Sequence, residues 1–147
     1  MIRLRFKPFN ADEERRIISA IKTAESQSTG EIRVHVERSC KKKDVLDRAV
    51  EIFYQLNMDK TSEGTGILIY VSIKDRKLAI IGDKGINQKV SEDFWHWVKE
   101  SMSAHLKEGK IATGIIKGIE MTGAELLKFF PASENNRNEL NDSISIG

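Results

Sequence analysis

Apolar residues in this chain recur at two spacings, every three to four residues and every two. The switches between them mark out the elements. Asn10 followed by Glu13 forms a capping-box pair, and Ile17, Ile18, Ile21 and Ala24 then share one helical face. This first helix runs to about Gln27, where Ser28-Thr29-Gly30 breaks it. From Glu31 to Glu37 the period drops to two: Ile32, Val34 and Val36 face one way and Arg33, His35 and Glu37 the other, which is a strand half covered by core. Asp44 caps a second helix carrying Val45, Leu46, Ala49, Val50, Ile52, Phe53 and Leu56. A glycine-punctuated loop, Asp59 to Gly66, leads to Ile67-Leu68-Ile69-Tyr70-Val71-Ser72-Ile73. That run is apolar on both faces, as a central strand covered on two sides must be. The polar turn Lys74 to Lys77 makes Leu78-Ala79-Ile80-Ile81 its antiparallel hairpin partner. A helix with Phe94, Trp95, Val98 and Met102 follows, begun by Asn87 or capped by Ser91. The last helix spans Ile111 to about Phe129, with Gly114 and Gly118 one turn apart for close packing, and Pro131 ends it.

A right-handed crossover makes the first two strands parallel, with the intervening helix on one face. The doubly apolar second strand requires helices on both faces. The expected fold class is therefore α/β, a three-layer α/β/α sandwich around a small mixed sheet. One domain is expected over residues 1–131. Residues 132–147 read as a polar, mobile tail with at most a short ordered piece at Ile144-Ser145-Ile146.

Composition narrows the chemistry. The chain has 147 residues, 39% hydrophobic and 31% charged, with 24 Lys and Arg against 22 Asp and Glu for a net +2. That balance argues against nucleic acid as a partner. The single cysteine, Cys40, excludes an intrachain disulfide and a cysteine-based zinc cluster. No secretory signal is visible, and the longest nearly apolar run, Gly66 to Ser72, is far short of the roughly 20 residues a membrane span needs. A soluble, cytoplasmic monomer is the expectation, with an unidentified protein partner as its open association.

Topology brings chemistry-bearing residues to one end of the sheet. The parallel strands begin at Glu31 and Gly66, and the antiparallel third strand finishes at Gly82-Asp83, so Thr29, Glu31, Glu63, Thr65 and Asp83 converge from three segments. Hard oxygen donors of this kind suit calcium or magnesium. The alternative is that Glu31 and Asp83 are loop acids that cap or pair with lysines such as Lys84. Asp59-x-Thr61-x-Glu63-Gly64 mimics the opening of an EF-hand, but its twelfth position is Tyr70, which excludes a genuine EF-hand and leaves a partial calcium-binding loop or an ordinary polar loop between helix and strand. The opposite end holds a rival cluster, Glu37, Arg38, Ser39, Asp44, Ser72, Asp75 and Arg76, where open α/β sheets usually bind ligands. Asp75-Arg76, however, is common turn chemistry. His35 has no acid or nucleophile partner by spacing and reads as a packed or solvent-facing residue. Cys40 reads as an incidental thiol, and Lys41 to Lys43 as a solvated face. Trp95 and Trp97 cannot share a helical face, so one packs and the other is partly exposed. No phosphate-cradling glycine loop, nucleophile elbow or paired-histidine zinc motif is present.

Three segments in order, Thr29-Gly30-Glu31-Ile32-Arg33-Val34-His35-Val36-Glu37, Gly66-Ile67-Leu68-Ile69-Tyr70-Val71-Ser72 and Asp75 to Ile86, resemble the TPM domain. Trp97, Gly114-Ile115-Ile116-Lys117-Gly118-Ile119 and Phe130-Pro131 fit the same pattern, and the likeness, to the short stand-alone bacterial form, covers roughly residues 10–131. The resemblance implies an α/β/α sandwich, divalent-metal binding that is chiefly of calcium with magnesium as the alternative, and the phosphatase activity attributed to some relatives. Other relatives act in photosystem repair or modulate membrane receptors. Carried onto this chain, it puts metal on Glu31 and Asp83, supported by Thr29 and Thr65, with Glu63 beside them. In an enzyme, Asp83 would be ligand or nucleophile and Glu31 ligand or base. The lead-in to the second strand, Glu63-Gly64-Thr65-Gly66, departs from the Arg-Asn-Gly-like sequence of many relatives, and the membrane anchor and glycine-rich tail of longer members are absent.

Overall fold

The structure is a computed structural model that describes residues 6–132 and 143–147. Helix α1 (Ala11–Ser26) starts as its sequence dictates: Asn10 Oδ1 accepts the Glu13 N–H at 2.8 Å and Glu13 Oε1 accepts the Asn10 N–H at 3.0 Å. Strand β1 (Glu31–Glu37), helix α2 (Val45–Gln55, capped by Asp44) and a 3-10 turn (Met58–Lys60) follow. Next come strands β2 (Gly66–Ser72) and β3 (Lys77–Gly82), the single-turn helix α3 (Lys84–Asn87), and helices α4 (Glu92–Lys107) and α5 (Ile111–Phe129). The two-residue strand β4 (Ser145–Ile146) comes last.

The sheet order is β3-β2-β1-β4, with β1 parallel to β2 and β4 and β3 antiparallel to β2. Period-two alternation sorts the core. Ile32, Val34, Val36, Ile67, Ile69 and Val71 pack with α1, α4 and α5, while Leu68, Tyr70 and Ala79 pack with Ala49, Ile52 and Phe53 of α2. The expected three-layer α/β sandwich is the fold observed. Between α4 and α5 the backbones come close, as Gly114 and Gly118 foretold: a Cβ on Gly118 would meet Met102 Cγ at 2.9 Å. Ser91 caps α4, with its Oγ 3.3 Å from Phe94 N, whereas Asn87 closes α3. Trp95 packs edge-on against Phe94, and Trp97 is 64% exposed.

Two features exceed the sequence reading. The ordered piece near the chain's end is a true sheet strand, β4, on the outer edge of β1. Of the tail expected to be mobile, 132–147, residues 133–142 lie outside the described residues. Glu25, in the last turn of α1, is buried, and its Oε2 accepts the outward Ile32 N–H at 2.8 Å. The outer edge of β1 is thus occupied in two ways, by a carboxylate at Ile32 and by β4 at His35 and Val36.

Candidate functional site

At the starting end of the parallel strands the loops interlock through backbone bonds. Glu31 N donates to Thr65 O (3.0 Å), Asp83 N to Gly66 O (2.9 Å) and Ile86 N to Gly64 O (3.2 Å). Gly64 has a φ of 66°, which favours glycine, and Gly85 sits so close that a Cβ there would lie 2.7 Å from Gly64 O. These loops wall an open cleft of about 460 Å³ lined by Tyr54, Asp59, Glu63, Gly64, Asp83 and Lys84, among others. Asp83 Oδ1 accepts the Lys84 N–H at 2.8 Å and so caps α3, which leaves Oδ2 on the Gly64 side.

Of the residues singled out at this end, Asp83 and Glu63 share the cleft, joined by Asp59, the first residue of the EF-hand-like Asp59-x-Thr61-x-Glu63-Gly64 run. Glu31 does not line it. Strand β2 lies between β1 and β3, so Glu31 and Asp83 stand two inter-strand spacings apart, roughly 9.5 Å along the sheet. The Glu31 side chain is buried. Thr65 is also buried, its N–H donating to Thr61 Oγ1 (3.0 Å) and its carbonyl accepting from the Glu31 N–H, and Thr29 donates its N–H to Phe130 O (2.8 Å) at the α1–β1 junction. Among the described residues, no three Asp, Glu, His or Cys side chains form a ready-made metal cluster. Tyr54, Asp59, Glu63, Asp83 and Gln88 offer side-chain oxygens to the cleft, beside the Lys84 ammonium and the Gln88 amide nitrogen.

The opposite end, beyond the finishing ends of β1 and β2, is a dense polar network. Glu37 is 1% exposed and its carboxylate accepts from Arg48 Nε (3.1 and 3.2 Å), Arg48 Nη2, Tyr70 Oη (2.9 Å) and His35 Nε2 (3.2 Å). Arg48 also reaches Glu51. An ionised carboxylate only accepts, so the His35 proton sits on Nε2 and Nδ1 accepts from Ser145 Oγ at 2.9 Å. Burial pushes the Glu37 carboxyl up, but its bonds from Arg48, Tyr70 and His35 outweigh that and hold it below the usual range. Burial also lowers His35, against the pull of Glu37, so its ring is neutral at neutral pH. The Tyr70 hydroxyl is pushed up by burial and by its bonds to Cys40 and Glu37.

His35 therefore does have an acid partner, contrary to the reading by spacing. The signal was present: residues two apart on a strand share a face. Arg48 could not be found that way, because its place under the sheet depends on how α2 docks. Ser72 Oγ and the Cys40 N–H both donate to Asp75 Oδ2 (2.6 and 2.9 Å), which holds that carboxyl low, and Arg76 Nη1 donates to Lys107 O (2.7 Å). The network's bonding capacity is spent on the protein itself. The larger groove, about 670 Å³ between α1 and α5, gathers no such chemistry, since Asp12 pairs with Arg15 and Arg16.

The family model described as the TPM domain matches residues 7–125. Among solved structures, the BA42 protein of the psychrophilic bacterium Bizionia argentinensis is similar at 42% identity, with a TM-score of 0.88 over 95% of each chain. The N-terminal domain of the cg2496 protein of Corynebacterium glutamicum has a TM-score of 0.65 at 13% identity, over 80% of this chain and 74% of that one. The N-terminal domain of a P. gingivalis protein has a TM-score of 0.67 at 15% identity, over 82% and 77%. These last two share the fold. No curated protein matches the chain.

Proposed function

Because the chain belongs to the TPM domain family, we propose that it is a calcium-binding module whose ion sits in the cleft of Asp59, Glu63 and Asp83 and adjoins a surface for a protein partner. The observation that carries this reading is an open cleft whose lining holds three carboxylates, from the 3-10 turn, the loop before β2 and the β3–α3 junction, not yet gathered into a ready-made cluster, so that an ion would have to draw them together. The donors fit a hard cation that retains water. Calcium takes six to eight oxygens in flexible geometry, and water can complete a set the protein leaves open, whereas magnesium demands a stricter octahedron. Asp83 and Glu63 are the principal ligands and Asp59 the third. Glu31, Thr65 and Thr29 hold the loops from behind. With so few fixed ligands, the affinity belongs at the weak end, with Kd on the order of 10⁻⁴–10⁻³ M.

The partner surface adjoins the cleft. Leu46, Val50 and Tyr54 follow one another at four-residue spacing along α2 and are 48%, 39% and 59% exposed. Tyr54 also lines the cleft, so an ion there would touch the end of that stripe.

Calorimetric titration of calcium into chelator-treated protein tests the binding. Glu63→Gln and Asp83→Asn should each weaken it about tenfold or more, and Asn keeps the helix cap. Glu31→Gln should leave it nearly unchanged. No heat and no rise in Tm with calcium would sink the reading. Lys84 at the cleft favours a second use, in which the same ion and lysine hold a phosphoryl group and the site hydrolyses phosphate monoesters. Hydrolysis of a generic aryl phosphate must then disappear in Asp83→Asn; unchanged turnover would assign it to a contaminant.

A further inference from the structure

The outer edge of β1 holds an extended segment through a set of contacts that amounts to a sequence code. Residues 144–147 lie parallel to β1, His35 opposite Ser145 and Val36 opposite Ile146, and Gly147 N donates to Val36 O at 3.1 Å. Main-chain bonds of this kind secure any strand added to a sheet edge, and pockets for alternate side chains select which one. Here each position is read differently. Ile144 packs against the main core. Ser145 gives its hydroxyl to His35 Nδ1 at 2.9 Å. Ile146 is 44% exposed and tolerant. Gly147 lies over the His35 ring, where a Cβ would come within 2.8 Å of both Cε1 and Nε2 and 3.4 Å of Glu37 Oε1.

That last contact excludes side chains because the ring cannot move aside. His35 is 5% exposed, bonded through both nitrogens and stacked at 6.0 Å and 14° on Tyr70, and Glu37 beneath it is held by Arg48. The resident segment, by contrast, has only two residues in strand geometry and ends in an exposed glycine.

We infer that the outer edge of β1 is a peptide-docking site for an extended aliphatic-Ser-x-Gly segment of a partner protein, with the chain's own residues 144–147 as its built-in competitor. The polar network at the finishing end of the strands is then the floor of this site: it fixes the one ring that reads both serine and glycine. Its own segment, tethered in the same chain, competes at an effective concentration that reaches millimolar for short linkers. A partner succeeds by being held nearby through other contacts.

The test uses one substitution in two places. A capped, fluorescent peptide of residues 143–147 is titrated into the full chain by anisotropy, with β1 amide signals followed by NMR. Gly147→Ala in the chain expels the competitor, so the peptide should bind it about tenfold or more tightly than wild type and shift the Val34 and Val36 amides. Alanine in place of the peptide's glycine should abolish that binding, and alanine for its second serine should weaken it several-fold. Ile144→Ser removes the anchor without touching the ring and should open the edge in the same way; circular dichroism melting confirms that both variants are folded. Equal binding to wild type and both opened variants, or indifference to the glycine in the peptide, overturns the proposal. Concentration-dependent dimerisation of the wild type that the peptide disperses would also overturn it, and would assign the site to a second copy.

Discussion

Replacing Arg48 with methionine tests the network where it is most exposed to error. The Arg48 and Glu37 side chains are 8% and 1% exposed, and Glu37 takes its strongest compensation from that guanidinium. Methionine keeps most of the apolar stem but leaves a carboxylate under the sheet with only Tyr70 and His35 as donors. Breaking a buried pair from one side costs about 3–5 kcal/mol, a large share of the roughly 5–15 kcal/mol that holds a domain together. With a urea slope of about 2 kcal/mol/M, the midpoint at pH 7 should fall by about 2 M. The loss should shrink as pH falls toward about 5, because burial then pushes the unpaired carboxyl up and protonation relieves it. Converting Glu37 to glutamine in the same chain should restore most of the stability, because a neutral amide needs no counter-charge. Urea melts of the wild type, the single and the double variant at pH 7 and pH 5 decide the matter. A loss below about 1 kcal/mol that does not change with pH would mean water reaches Glu37, and the burial argument would be refuted.

Other outcomes follow from single contacts. His35 has a lowered folded-state value against its ordinary 6.5, so its contribution is complete above 6.5 and is lost as pH falls through the lower folded value; wild-type stability should decline as pH falls below 6.5 while that of His35→Gln does not follow this stage in denaturant melts. Glu37 adds a second, more acidic stage, since its stabilisation is present above its ordinary 4.5 and lost as pH falls through its depressed value. Gly85→Ala would drive a Cβ onto the carbonyls of Glu63 and Gly64, costing about 1–3 kcal/mol and weakening calcium binding in the same titration, because it displaces the loop that carries Glu63. Asn10→Ala removes half of the capping box and should cost about 1 kcal/mol by thermal melting, with no effect on the cleft.

Local chemistry made most of the fold legible. The α1 cap, the two-sided apolarity of β2 and the short turn into β3 each depend on neighbours in sequence, and each appears where expected; β1, read as half covered, is instead buried on both faces, because the polar side that carries His35 and Glu37 is covered as well. What escaped depends on contacts between distant segments. The two isoleucines mark Ile144-Ser145-Ile146 as the piece of the tail able to order, but that it pairs with β1 depends on the edge that strand offers. Arg48 resembles any arginine on an amphipathic helix until α2 docks over Glu37. The starting-end site was half legible: strand directions bring Glu31, Thr65 and Asp83 to one end and the EF-hand-like run marks Asp59, but strand order puts β2 between Glu31 and Asp83, and only the path of the loop sets Asp59 on the Asp83 side.

The Glu25 carboxylate bound to the Ile32 N–H bears on how this chain avoids aggregating. A free sheet edge is a template for another strand, and a stacked β-spine needs roughly six or seven consecutive residues to propagate. β1 is seven residues long and rich in β-branched side chains, enough to serve. By occupying the second residue's donor, Glu25 shortens the usable edge to the stretch near β4, so release of β4 uncovers too little to seed a fibre. The guard is a charge carried by a different element, α1, and not by the strand it protects. Thioflavin fluorescence should accordingly rise on incubation of Glu25→Val, and not of variants that only loosen β4.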